Sequence, residues 1–230
     1  MALHTDQNQR FNINMTKNLT YNAHCVLCPR LAEHLQNVRT IYPDYHGLPV
    51  ASFGATKPEL LIVGLAPGMH GANATGRPFT GDHAGILLYK ALHKYGFSNQ
   101  EEAIDPKDGL KLNNCRITNA VKCLPPENKP IGSEISTCNR YLRNEIDGLG
   151  EKFVILTLGG IAHKAVLMAL SLKNKDYKFG HAALHKLDDK KWLLNSYHCS
   201  RYNTQTRRLT EPMFFKILDK AHEIIDSTYC

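Results

Sequence analysis

Apolar residues fall into two kinds of run along this chain. Glu59-Leu-Leu-Ile-Val-Gly-Leu65 and Phe153-Val-Ile-Leu-Thr-Leu158 are short and almost continuously apolar. That is the pattern of strands buried on both faces of a parallel sheet. Cys115-Arg-Ile-Thr-Asn-Ala-Val121 and Trp192-Leu-Leu-Asn-Ser-Tyr-His198 are two further strand candidates. Other stretches have helical spacing. Cys25 to Val38 sets Leu27, Leu31 and Leu35 on one face, and Ala84 to Tyr95 repeats the pattern. Ser133 is a candidate cap for a helix to about Leu149, and another helix follows Gly159-Gly160 through Leu170. Thr210 caps a closing helix that tolerates Pro212 in its first turn and lines up Phe214, Ile217, Leu218, Ala221, Ile224 and Ile225.

Strands alternating with helices predict an α/β fold around a mostly parallel sheet. Ligands in such folds bind at the carboxyl ends of the strands. The segments after Leu65, Val121 and Tyr197 should therefore converge on one site.

The chain has 230 residues, 43% hydrophobic and 21% charged, which suits a single core. Met1 to Thr20 is polar, lacks the apolar stretch of a signal peptide, and is read as a flexible or peripheral arm. Residues 21–230 then form one domain. No apolar run reaches the ~18 residues of a membrane span, so a cytoplasmic protein with no membrane contact is expected. The net charge of +7 favours a polyanionic partner. Seven cysteines, an odd number in a chain without a secretion signal, argue for thiolate ligation over a disulfide framework.

Cys25-x2-Cys28 and Cys123-x14-Cys138 are the ligand candidates, with Cys115, Cys199 and Cys230 left without a role. A tight pair and a loose pair fit an iron–sulfur cluster, zinc, or no ligand at all, and spacing leaves the three open. Between the pairs runs a glycine-rich segment, Gly64 to Asp82. It is neither a Walker A loop nor a clean GxGxxG. It holds a cation (Arg77), an aromatic ring (Phe79) and a carboxylate (Asp82) within six residues. A planar ring stacked on Phe79 beside Asp82 is one reading, and a ligand-free connection with Asp82 as a helix cap is the other. The last loop, from His198 to Thr210, is polar and cationic. Arg201, Arg207 and Arg208 suit phosphates, with Ser200, Asn203 and Thr204 as hydrogen-bond donors, unless the arginines form a solvated face and His198 is structural.

Four ordered segments together resemble the uracil-DNA glycosylases, in particular the iron–sulfur branch called family 5 or type B. They are Gly64-Leu-Ala-Pro-Gly68, Thr75-Gly-Arg-Pro-Phe-Thr-Gly-Asp82, Cys123-Leu-Pro-Pro-Glu-Asn-Lys-Pro130 and His198-Cys-Ser-Arg-Tyr-Asn-Thr-Gln-Thr206. The likeness runs from about Tyr21 to Ile225. It implies a three-layer α/β/α sandwich and a [4Fe-4S] cluster on Cys25, Cys28, Cys123 and Cys138. It also implies a monomer that hydrolyses the N-glycosidic bond of uracil in DNA, with hypoxanthine and xanthine as further substrates, and leaves an abasic site. Family 4 carries Glu after the first glycine; here Leu65 stands there, and the type B pattern moves the acid to Asp82. The implied roles are a base stacked on Phe79 near Gly68 and Asn203, and Asn119 reading its amide edge. His198 stabilises the leaving base, and Arg201, Arg207 and Arg208 grip the backbone. A non-catalytic nucleic-acid-binding module with a structural metal is the competing reading. A zinc nucleobase deaminase is not, because the chain has no His-x-Glu.

Overall fold

A computed structural model describes residues 19–227. The expected arm therefore lies almost wholly outside the described residues. The elements are α1 (Pro29–Ile41), β1 (Phe53–Gly54), β2 (Leu60–Gly64), α2 (Ala72–Thr75), α3 (His83–Lys94) and β3 (Cys115–Asn119). After a single 3-10 turn, Pro126–Asn128, come α4 (Gly132–Asp147), β4 (Phe153–Leu158), α5 (Gly160–Ala169), β5 (Leu184–Lys186), β6 (Lys191–Ser196), α6 (Arg201–Gln205) and α7 (Glu211–Asp226).

The sheet has the order β1-β3-β2-β4-β6-β5. Its four inner strands are parallel, and the two short edge strands run antiparallel to their neighbours. β2 and β4 are buried at every position, as the continuous apolar runs require. Strand alternation splits them between two cores. Leu60, Ile62, Val154 and Leu156 meet Leu88 and Leu92 of α3 and Phe214 and Leu218 of α7. Leu61, Val63, Phe153 and Ile155 meet Leu142 of α4 and Ala165 and Val166 of α5 on the opposite face. The result is the expected three-layer α/β/α sandwich. A third core lies to one side, where Leu31, Leu35 and Val38 of α1 pack on Val121, Leu124 and Tyr141. Among the described residues no helix is long and apolar enough to cross a membrane.

Two element boundaries differ from expectation for local reasons. α1 starts at Pro29, because proline is compatible with the first turn but not with helix before it, so Cys25 and Cys28 precede the helix. α4 starts before Ser133, and its end is closed by the Glu134 carboxylate, which accepts from the Ile131 amide at 2.9 Å. Thr210 does cap α7, through the Met213 amide, and all six residues of its predicted face are buried.

Candidate functional site

β2 and β3 end side by side, with Gly64 opposite Asn119, and β6 ends nearby at Ser196. The three segments leaving these ends enclose a cavity of about 570 Å³. Phe79, Asp82, Asn119 and His198 all line it, together with Gly68 and Arg201.

Phe79 sits at φ +55°, a left-handed conformation that costs a non-glycine residue roughly 1–3 kcal/mol. The surroundings enforce it. Tyr89 donates its hydroxyl to the Pro78 carbonyl at 2.8 Å, and Arg77 donates to Thr80 at 2.7 Å. Arg77 is itself buried and makes two bonds to Asp108, at 2.9 and 2.6 Å. These bonds hold the Asp108 carboxyl well below the usual carboxylate range. The cation in the glycine-rich segment is thus a strut under Phe79 and is not among the cavity-lining residues. Held this way, the Phe79 ring lies over Gly64, with its centroid 6.1 Å from that of His198.

The glycines have a side-chain reason. A Cβ on Gly64 would come within 2.5 Å of Asn119 Oδ1 and 2.8 Å of the Phe79 ring. A Cβ on Gly68 or Gly71 would strike the Asp82 carboxylate, at 2.6 and 1.9 Å. These three glycines clear room for side chains that line the cavity.

Asp82 occupies the residue before α3, yet its side chain caps nothing there. The carboxylate turns back across the loop and accepts from the Ala72 amide at 3.1 Å. Burial pushes its carboxyl above the usual range, and the Ala72 bond offsets part of that. Burial lowers His198 to about 4, so its imidazole is neutral at neutral pH. Asn119 is buried at the strand end, and its Oδ1 has no hydrogen-bond partner among the described residues. Such an atom costs about 1–3 kcal/mol unless a ligand satisfies it.

The last loop contains a short helix, α6, capped by Ser200 through the Asn203 amide. Asn203 is not among the cavity-lining residues; its side-chain amide donates to the His198 carbonyl at 2.8 Å and so fixes the histidine. Arg201 reaches the cavity mouth. Arg207 is exposed, and the exposed Arg208 lies 4.6 Å over the Tyr197 ring. Sequence reasoning missed His70 and His83, which also line the cavity. His83 is 3.1 Å from Thr204 Oγ1, tying α3 to α6. The partner of each histidine is distant in sequence, so no local signal marks it.

Beside the cavity, Cys25, Cys28, Cys123 and Cys138 line one small pocket between the start of α1, the segment after β3, and α4. All four are unpaired thiols. The Lys122 amide donates to Cys138 Sγ at 3.3 Å, and the Lys122 ammonium forms a buried pair with Glu145 at 2.7 Å. Among the described residues, no three His, Cys, Asp or Glu side chains converge on a position for a single metal ion. What the four share is that pocket, which Tyr141 and Leu31 line with them.

The model of the uracil DNA glycosylase superfamily matches residues 51–222. The chain is 42% identical over 205 residues to the Type-5 uracil-DNA glycosylase of Thermus thermophilus, covering 87% of this chain and 93% of that one. It is 40% identical over 208 residues to the Type-5 uracil-DNA glycosylase of Mycobacterium bovis, covering 87% and 78%. The Type-4 uracil-DNA glycosylase of Sulfurisphaera tokodaii is 33% identical over 174 residues, covering 73% and 72%.

Proposed function

The chain belongs to the uracil DNA glycosylase superfamily, and from that membership and the cavity we propose that it hydrolyses the N-glycosidic bond of uracil in DNA. The observation that carries this reading is the buried, unpartnered Asn119 Oδ1 in a cavity floored by Phe79.

The target nucleotide leaves the duplex, at a cost of about a few kcal/mol, and its base enters the cavity. Phe79 stacks on the ring. Asn119 Oδ1 accepts from uracil N3–H, while its amide donates to O4. Cytosine presents the reverse pattern at those positions and leaves Asn119 mismatched. Hypoxanthine offers the same donor and acceptor pair at N1 and O6, which extends the reading to deaminated purines, xanthine included.

The bond between N1 and C1′ breaks with its electron pair moving to the base. Neutral His198 donates a hydrogen bond to the developing uracil anion. The Asp82 carboxylate, which also lines the cavity, stabilises the cationic sugar and orients water, whose oxygen bonds to C1′ while its proton is lost to solvent and a proton from solvent neutralises the departed uracil anion. A preorganised donor or charge of this kind is worth about 3 kcal/mol, close to 100-fold in rate. Removing either His198 or Asp82 therefore lowers turnover by at least about 100-fold. Arg201, Arg207 and Arg208 contact phosphates on either side of the extruded nucleotide.

Cys25, Cys28, Cys123 and Cys138 would hold a [4Fe-4S] cluster. When bound, it supplies iron–thiolate cross-links between three chain segments and no step of the hydrolysis.

The test is base release from an end-labelled duplex with one G·U mismatch, read with and without alkali. Breaks that appear only after alkali are the expected result. Absence of breaks in both lanes, from protein carrying its iron, would refute the proposal.

A further inference from the structure

The turn that follows α1 contributes nothing to the cavity wall, yet three bonds tie it to the loop that cradles Asp82. The Tyr45 hydroxyl lies 2.9 Å from His70 Nδ1. The His46 amide donates to the Ala74 carbonyl at 2.9 Å, and the Gly47 amide to Asn73 at 3.1 Å. Tyr42 stacks on Tyr45 with ring centroids 4.7 Å apart, and His70 meets both rings edge-on. Arg39 of α1 donates to the Gly47 carbonyl at 2.6 Å and fixes the far side of the turn.

Both ends of this arrangement matter. On one side, Tyr42 and Tyr45 pack on the core that contains Cys123 and Cys138, with Cys25 and Cys28 against it. On the other, His70 immediately precedes Gly71 and Ala72. Ala72 donates to Asp82, and Gly71 leaves the space its carboxylate fills. A displacement of His70 reaches that carboxylate within two residues.

We propose that Tyr45 is a positioning residue: its hydroxyl holds the His70–Ala72 segment, and through it Asp82, against the cysteine-lined side of the molecule. The proposal rests on the reading of Asp82 as the group acting on the sugar. It also gives the cysteine cage a mechanical route to the chemistry, running through α1, the turn, and α2.

Tyr45→Phe tests it, since the substitution keeps the ring stack and removes one hydroxyl. The single-turnover rate of uracil release falls about tenfold, as expected for a misplaced reacting group. The Kd for a uracil-containing duplex changes by less than about twofold, since the turn lies off the cavity wall. His70→Leu also slows the reaction, and Tyr45→Phe adds nothing further in the double variant, because the pair acts as one unit. An unchanged rate in Tyr45→Phe, a loss confined to Kd, or full additivity would each overturn the proposal. So would loss of iron or a lowered melting temperature in Tyr45→Phe, which would make the hydroxyl a support of the cage. If the wild type itself released no uracil, the function proposed above would fall, and the role of Tyr45 with it. Wild-type activity beside an unaffected Tyr45→Phe would overturn the Tyr45 role alone.

Discussion

Gly64→Ala is the sharpest probe of the site, because it adds one methyl group under two cavity-lining side chains at once. Gly64 does not have a positive φ, so alanine is tolerated by its backbone and the effect is purely one of space. The new Cβ would lie 2.5 Å from Asn119 Oδ1 and 2.8 Å from Phe79 Cζ, against an ordinary contact of 3.4 Å or more. Asn119 must retreat by about 0.9 Å and the ring by about 0.6 Å to restore normal contact. The backbone of each is held, so the side chains can yield only into the cavity they line. Phe79 is fixed at φ +55° by Tyr89, Arg77 and Gly85, where a Cβ would meet the Phe79 carbonyl at 1.9 Å. Asn119 is the last residue of a central strand. Overpacking of this sort costs about 1–3 kcal/mol. In a chain of this size that lowers the melting temperature by roughly 2–10 °C. A shift of about 1 Å at the groups that hold the base lowers the single-turnover rate by about 100-fold. Gly132→Ala is the internal control, since a Cβ there meets nothing within 4 Å. The assay compares uracil release and thermal melting for both variants. Gly64→Ala with wild-type rate and melting temperature would show that Asn119 and Phe79 do not form the base platform.

Asp82→Asn is expected to lower turnover by at least about 100-fold while raising the melting temperature at neutral pH, the trade-off expected if this buried carboxylate takes the role proposed for it. The sign follows from burial. A carboxyl raised in the folded state binds its proton more tightly than in the unfolded chain, so stability falls as pH rises through its pKa, and removing the charge relieves that cost. The pH–rate profile of the wild type should accordingly show an acid limb above the ordinary carboxylate range, and a limb at or below about 3.9 would contradict it. Cys138→Ser should abolish iron and acid-labile sulfide in the purified protein and lower its melting temperature; full retention of both would remove that cysteine from the ligand set.

Much of the architecture is written locally. β2 and β4 are continuous apolar runs, and the buried face of α7 can be listed from spacing alone. The edge strands β1 and β5 cannot, being two and three residues long and only partly buried. The site was half legible. Glycines, an aromatic ring and an acid within one segment mark a loop that lines the cavity. What they do there depends on partners far along the chain. Arg77 reads only as a cation in that segment, and its partner Asp108 lies 31 residues away. Asn203 looked like a substrate donor, but its amide is spent on the His198 carbonyl. Tyr45 and His70 are 25 residues apart, and neither announces the other.

The packing of α1 bears on how the chain is made. Its apolar face, Leu31, Leu35 and Val38, closes on Val121, Leu124 and Tyr141, all contributed by a stretch roughly a hundred residues later. At about 5–20 residues per second, a ribosome needs on the order of 5–20 s to deliver that stretch. Throughout that interval the helix has only the nearer Tyr42, Tyr45, Ala66 and Met69 of this core to pack with. Burial of α1 in this core therefore waits on synthesis of the chain through Tyr141.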